Sequence, residues 1–210
     1  MADSTRTWTR TIAVAITGAS GTQYGLRLLE CLIRADVRVY LMISQAGQVV
    51  LKMEAGLDVP ARPAEAEAFF TGHFSALPGQ LRVFGRQQWT APVASGTNPP
   101  DAMVVCPCTT GTLATIAAGM SQDLIDRAAD VALKEGRRLI LVVRETPFSA
   151  IHLENMLRLA RAGAVIMPAN PGFYFNPTEI QGIVDFMVAR VLDHLDVPHQ
   201  LLRRWGESTP

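Results

Sequence analysis

Five short segments of this sequence carry residue types that can hold or transform an anionic ligand. Gly18-Ala19-Ser20-Gly21 offers small residues, a hydroxyl and backbone N–H groups ahead of a helix-forming stretch, so a phosphate or polar ring edge can approach closely. It is not the GxGxxG of dinucleotide-binding proteins. Cys106-Pro107-Cys108-Thr109-Thr110-Gly111-Thr112 follows an apolar run and opens another helix, presenting hydroxyls and N–H groups with a helix dipole behind them. Two such turns suggest a mononucleotide. Ser44 follows a further apolar run, placed to cap the next helix. Arg144 and Glu145 bring a fixed cation and a titratable carboxyl together, where charge and burial can tune the acid. Residues 170–174 (NPGFY) set the Tyr174 phenol in a rigid loop, and Arg190 lies on the last helix. Each has a bland alternative: ligand-free turns also want glycines, and Arg144 or Arg190 alone suits a structural ion pair.

The elements that must position these groups alternate along the chain. Apolar, β-branched runs at 11–17, 37–43, 81–84, 102–106, 138–143 and 164–167 read as strands, the buried type expected of a parallel sheet. Helical patterns follow at 24–35, 44–55, 65–70, from 113 onward, 124–135, 150–162 and 178–195, the first placing Leu28, Leu29, Leu32 and Ile33 on one face. Such alternation calls for right-handed crossovers in a Rossmann-like, doubly wound α/β sheet of a single domain, with helices on both faces. Ligands of such sheets bind outside the carboxyl ends of the strands, where all the segments named above fall. Residues 11–197 are expected to form the domain, with residues 1–10 and 198–210 as tails.

Composition narrows the function. Of 210 residues 49% are hydrophobic and 18% charged, with formal net charge +0 and no basic block, so neither nucleic acid nor an anionic membrane surface is expected as a partner. No apolar run reaches the roughly 20 residues of a spanning helix. The cysteines, Cys31, Cys106 and Cys108, do not form a secreted disulfide framework, and the chain reads as reduced and cytoplasmic. The Cys-x-Cys pair and the scattered His73, His152, His194 and His199 lack metal-ligand spacing. Asp123, Asp126 and Asp130, interrupted by Arg127, read as a solvated helix face rather than a magnesium site.

With these motifs in hand, the sequence closely resembles the UbiX/Pad-type flavin prenyltransferases across nearly its whole length. The resemblance runs from TGASGTQYG through ASGT, CPCTTGT, RAADVALKEGRRLILVVRETP and GAVIMPANPGFYFNP to the helix bearing Arg190. It implies transfer of a dimethylallyl group from dimethylallyl monophosphate to N5 and C6 of reduced FMN. The product would be prenylated FMN, destined for partner decarboxylases of the UbiD type. By matching positions, Gly18, Ala19, Ser20, Ser44, Thr109, Thr110, Gly111, Thr112 and Arg144 would hold FMN. Tyr174, Lys134, Arg190 and Arg127 would hold the prenyl phosphate, Glu145 and Ser20 would handle protons, and Glu54 would complete the site. Many members of the family carry a lysine where Gly111 stands, so here phosphate affinity would rest more on backbone N–H groups. A monophosphate leaving group met by cations and an acid requires no metal. Trp89, Tyr174 and Trp205 are candidate aromatic faces for an allylic cation. The resemblance also implies a homododecamer whose active sites are shared between subunits. Two alternatives differ in kind. A cysteine-decarboxylase-like flavoenzyme would carry a histidine within 91–97 and a PASANT-like turn in place of CPCTTGT, and neither is present. A non-catalytic FMN-binding protein would leave Lys134, Glu145, Tyr174 and Arg190 superfluous.

Overall fold

The structure, a computed structural model, describes residues 7–202 and Gly206; Trp205 lies outside the described residues. Six strands form one sheet: β1 Thr11–Ile16, β2 Arg38–Ile43, β3 Leu81–Phe84, β4 Ala102–Cys108, β5 Arg138–Val143 and β6 Val165–Ile166. The helices are α1 Thr22–Arg34, α2 Gln45–Ala55, α3 Pro63–Phe74, α4 Thr110–Ala117, α5 Leu124–Lys134, α6 Ala150–Arg161 and α7 Ile180–His194. Every strand pairing is parallel, in the order β3-β2-β1-β4-β5-β6. This is the doubly wound arrangement expected from the alternation, and its order reverses between β1 and β4.

The period-two pleat of the strands sorts the core into two layers. On β1, Ile12, Val14 and Ile16 face a layer that includes Leu28, Leu29 and Leu32 of α1, Phe70 of α3 and Val184, Val188 and Leu192 of α7. Ala13 and Ala15 face the opposite layer, built by Leu113 of α4, Leu124 and Ala129 of α5 and Leu159 of α6. Two glycines let helices press on the strands. A Cβ at Gly25 would lie 2.5 Å from the Cys106 carbonyl oxygen, and one at Gly47 2.6 Å from that of Ile16.

Three departures from expectation have local causes. Strand β4 continues two residues past Cys106, through a proline that lacks an N–H, because the Pro107 carbonyl accepts from the Thr17 amide at 3.3 Å. Helix α4 starts at Thr110 rather than 113, since the Thr109 hydroxyl caps it by accepting from the Thr112 N–H. Helix α3 outruns the expected 65–70 in both directions, with Pro63 in its first turn.

The reading of Asp126 as solvent-facing is corrected. It is 6% exposed, and its carboxylate accepts from the Thr115 hydroxyl at 2.9 Å and the Gln122 N–H at 3.3 Å. Burial raises its pKa above the ordinary value against the opposing pull of the Thr115 hydrogen bond. Asp123 instead caps α5, and Asp130 pairs with Arg127 at 2.8 Å. Among the described residues, no helix is long and apolar enough to cross a membrane.

Candidate functional site

At the carboxyl rim, the reversal between β1 and β4 is bolted by a residue that pattern reading overlooked. The Thr17 hydroxyl donates to the Pro107 carbonyl at 2.7 Å and accepts from the Thr109 N–H at 2.9 Å. Its signal in the sequence is slight, a lone polar residue ending an apolar run. The bolt fixes the start of α4, where Thr109 caps the helix and hydrogen-bonds the Thr112 hydroxyl at 2.9 Å. The first amides of a helix, here those of Thr110 and Gly111, have no intrahelical acceptor and favour an anion. Nothing but the Thr109 hydroxyl, 3.8 Å away, would meet a Cβ at Gly111, so packing does not impose glycine there.

The first turn behaves differently. Glu54, at the end of α2, reaches back to the start of α1, where its Oε2 accepts from the Gly21 N–H at 2.9 Å and from the Thr22 N–H and hydroxyl at 3.0 Å. Burial alone would raise the Glu54 pKa, but hydrogen bonds from Ser20, Gly21 and Thr22 outweigh it and hold the group below its ordinary value. The Gly21 and Thr22 amides of this turn are therefore engaged by a protein carboxylate. Gly18 has a packing reason, since a Cβ there would press within 3.2 Å of the Ala46 backbone. Ala19 is buried and Ser20 is exposed beside it. Ser44 caps α2 by accepting from the Gly47 N–H at 2.9 Å, a bond that does not use its own hydroxyl hydrogen.

Arg144 and Glu145 follow β5 at the same rim. The Arg144 N–H donates to the Cys108 carbonyl at 3.2 Å, and Glu145 Oε2 lies 3.5 Å from the Thr110 hydroxyl. These contacts draw the Arg144–Glu145 pair against the α4 turn. The Arg144 Nε is buried with no hydrogen-bond partner, an orphan donor of the kind a bound anion satisfies. The Thr110 and Gly111 amides and this guanidinium suit the phosphate of a flavin mononucleotide.

Among the remaining expected groups, Lys134 and Arg190 are not brought to this rim within one copy, whereas the loop bearing Tyr174 leaves β6 there, the Ala169 N–H donating to the Val143 carbonyl at 2.8 Å next to Arg144. Lys134 ends α5 just before β5, whereas Glu145 follows β5, and six strand residues span about 20 Å. Lys134 pairs with Glu135 and lies against Gly96 of the 91–97 loop, and Arg127 donates to the Ala94 carbonyl at 3.1 Å. Tyr174 and Arg190 belong to the opposite face. The Tyr174 ring packs edge-on against Phe186 of α7 at 5.9 Å, and Arg190 follows Phe186 by four residues on the same helix face. The sheet itself thus separates α5, with Lys134 and Arg127, from α7, with Tyr174 and Arg190. Trp89 stands 45% exposed in the loop after β3.

The two cysteines of the CPCTTGT segment are shielded from solvent. Cys106 and Cys108 are buried, which pushes the Cys108 thiol up to about 12 and Cys106 higher still. Among the described residues no cluster of His, Cys, Asp or Glu is arranged to hold a metal ion.

The sequence profile of the Flavoprotein family matches residues 2–194. The flavin prenyltransferase UbiX of Pseudomonas aeruginosa is 55% identical over 197 residues, covering 94% of each chain. A crystal structure of AnUbiX (PadA1) in complex with FMN and dimethylallyl pyrophosphate superposes with a TM-score of 0.83 at 40% identity, covering 95% of this chain and 99% of the other. A dodecameric, FMN-dependent UbiX-like decarboxylase from Escherichia coli O157:H7 superposes with a TM-score of 0.80 at 37% identity, covering 93% and 99%. The chain belongs to the Flavoprotein family and, within it, to the UbiX flavin prenyltransferases.

Proposed function

We propose that this chain moves a dimethylallyl group from dimethylallyl monophosphate onto N5 and C6 of reduced FMN, releasing inorganic phosphate and prenylated FMN. The observation that carries the reading is the rim where the capped α4 turn, the orphaned Arg144 Nε and the Glu145 carboxylate adjoin. When bound, the reduced flavin supplies the nucleophilic N5 and C6; the protein supplies everything that holds, orients and protonates.

In this reading Arg144, Ser44 and the Thr110 and Gly111 amides grip the flavin phosphate by charge-assisted hydrogen bonds. Glu145 moves protons at the departing phosphate and at the flavin. Glu54, kept ionised by its hydrogen bonds, orients the Ser20 hydroxyl toward the same space. Tyr174, Arg190, Lys134 and Arg127 take the charge that builds on the leaving phosphate. Because Lys134 lies at the amino end of β5 and Arg190 ten residues into α7 on the opposite face, all of these groups meet one phosphate where copies of the chain adjoin. The dodecameric assembly of the E. coli relative supports such convergence, as do the exposed Val49 and Met53 of α2 and Leu153 and Leu157 of α6. The Tyr174 and Trp89 rings are suited to face an allylic cation. The setting is the cytoplasm, and the product passes to a UbiD-type decarboxylase.

The test is anaerobic incubation of the protein with reduced FMN and dimethylallyl monophosphate, followed by mass spectrometry of the extracted flavin. A flavin heavier by one five-carbon unit is the expected result. An unchanged flavin mass overturns the assignment.

A further inference from the structure

Arg190 stands on α7 with its side chain 50% exposed, a placement in which a long cation samples many rotamers. A chain of contacts limits that freedom. Arg190 Nη1 donates to Asp193 Oδ2 at 2.7 Å, and Asp193 Oδ1 meets His199 Nε2 at 3.1 Å. The Leu201 N–H donates to His199 Nδ1 at 3.3 Å. An N–H can donate only to a ring nitrogen without a hydrogen, so His199 carries its hydrogen on Nε2 and gives it to Asp193.

The far end of this chain is anchored. Past α7 the backbone turns back on the protein: Leu195 and Val197 are buried, and Leu201 packs against the α1 and α7 layer. The His199 side chain is 14% exposed, so the imidazole is held by the body of the protein rather than by the helix it serves. An exposed pair three residues apart holds weakly by itself. Here the second carboxylate oxygen is tied to a mostly buried donor, and the carboxylate that orients Arg190 is thereby oriented itself. The contact with Asp193 uses Nη1, leaving the Nε and Nη2 edge, the edge suited to a bidentate phosphate.

We infer that Asp193 and His199 are positioning residues that hold Arg190 ready for the phosphate of the prenyl donor. The inference rests on the reading of Arg190 as a cation for that phosphate. It opposes a second physical effect, since Asp193 is also an anion near the site, and if repulsion dominated, its removal would tighten binding of the donor.

The experiment is steady-state kinetics of the full, assembled chain, with dimethylallyl monophosphate varied at saturating reduced FMN. Asp193→Asn raises KM for the prenyl phosphate about 5-fold, with kcat and FMN affinity within about 2-fold of the unaltered chain. His199→Ala raises it about 3-fold, and His199→Gln, whose amide can donate in place of Nε2, restores it. Combined with Arg190→Ala, Asp193→Asn adds nothing further, as expected of residues acting through one another. If Arg190→Ala raises KM while Asp193→Asn and His199→Ala leave or lower it, the positioning role is wrong and the reading of Arg190 stands. If Arg190→Ala leaves KM unchanged, that reading fails and the inference falls with it. Should Asp193→Asn fail to assemble, the His199→Ala and His199→Gln pair decides the matter by presence or absence of rescue.

Discussion

Replacing Thr17 by valine tests whether the bolt between β1 and β4 sets the phosphate turn. Thr17 is 1% exposed and valine has nearly its shape, so the change removes the hydroxyl without opening a cavity. The Thr109 N–H, which donates to that hydroxyl at 2.9 Å, loses its acceptor, while the Pro107 carbonyl keeps the Thr17 N–H at 3.3 Å. One buried donor left unsatisfied costs about 1–3 kcal/mol. Thr17→Ser keeps both bonds and loses one methyl, about 0.8 kcal/mol. For a chain of 210 residues, about 2 kcal/mol corresponds to a melting point lower by about 4–8 °C. Because Thr109 caps α4, the disturbance also reaches the Thr110 and Gly111 amides, and FMN affinity falls about 10-fold, or about 1.4 kcal/mol. Urea unfolding at one fixed protein concentration gives the stability order, and flavin titration gives the affinity. A Thr17→Val chain that matches the unaltered one in both, or that outlasts Thr17→Ser, refutes the reasoning.

Three other outcomes follow from the same geometry. Arg144→Met weakens FMN binding about 10- to 100-fold, the loss of a charge-assisted contact, but leaves affinity for riboflavin, which lacks the phosphate, within about 2-fold in parallel titrations. Glu54 is held below its ordinary 4.5, so its stabilisation is fully present above that value and is lost as pH falls through the lower folded value. Urea midpoints measured down the acid limb therefore drop more steeply for the unaltered chain than for Glu54→Gln. Asp126 has the opposite sign: its folded pKa is raised, so its ionised form carries a cost at neutral pH that is relieved as pH falls through the folded value. Asp126→Asn keeps an acceptor for Thr115 but turns its NH2 toward the Gln122 N–H, so the check is the pH profile: the variant loses the gain in urea midpoint that relief of this cost gives the unaltered chain as pH falls.

Much of the architecture was legible in the strand runs, because buried parallel strands are nearly continuous apolar segments and the helices between them show their own period. The strand order was not, since a run such as residues 102–106 records nothing of its neighbours in space. Pro107 hid the end of β4 because a missing N–H ordinarily stops a ladder, and only the structure reveals that its carbonyl is the useful group. The capping role of Ser44 was readable, as that of Thr109 was not, because a hydroxyl's partner three residues on is obvious only once the helix start is known. Asp126 misled because nothing in the charged run Asp123 to Asp130 marks which member meets another helix; the Thr115 hydroxyl of α4 meets Asp126, while Arg127 and Asp130 pair with each other. Thr17 was passed over because nothing local distinguishes a polar residue that ends a strand from one that ties two strands together. Glu54 entered through resemblance alone; its reach to the start of α1 spans more than 30 positions.

The opposition of Lys134 and Arg190 across the sheet has a genetic consequence. If each reaction centre draws residues from different chains, a subunit damaged at Glu145 and another damaged at Arg190 each still contribute an intact half. Mixed into one assembly, two inactive chains would rebuild some working centres between them. Defects within a single rim, such as Arg144 paired with Glu145, would not be mended by mixing. The pattern of which lesions complement one another would thus draw the boundary between donor and recipient surfaces without a ligand ever being seen.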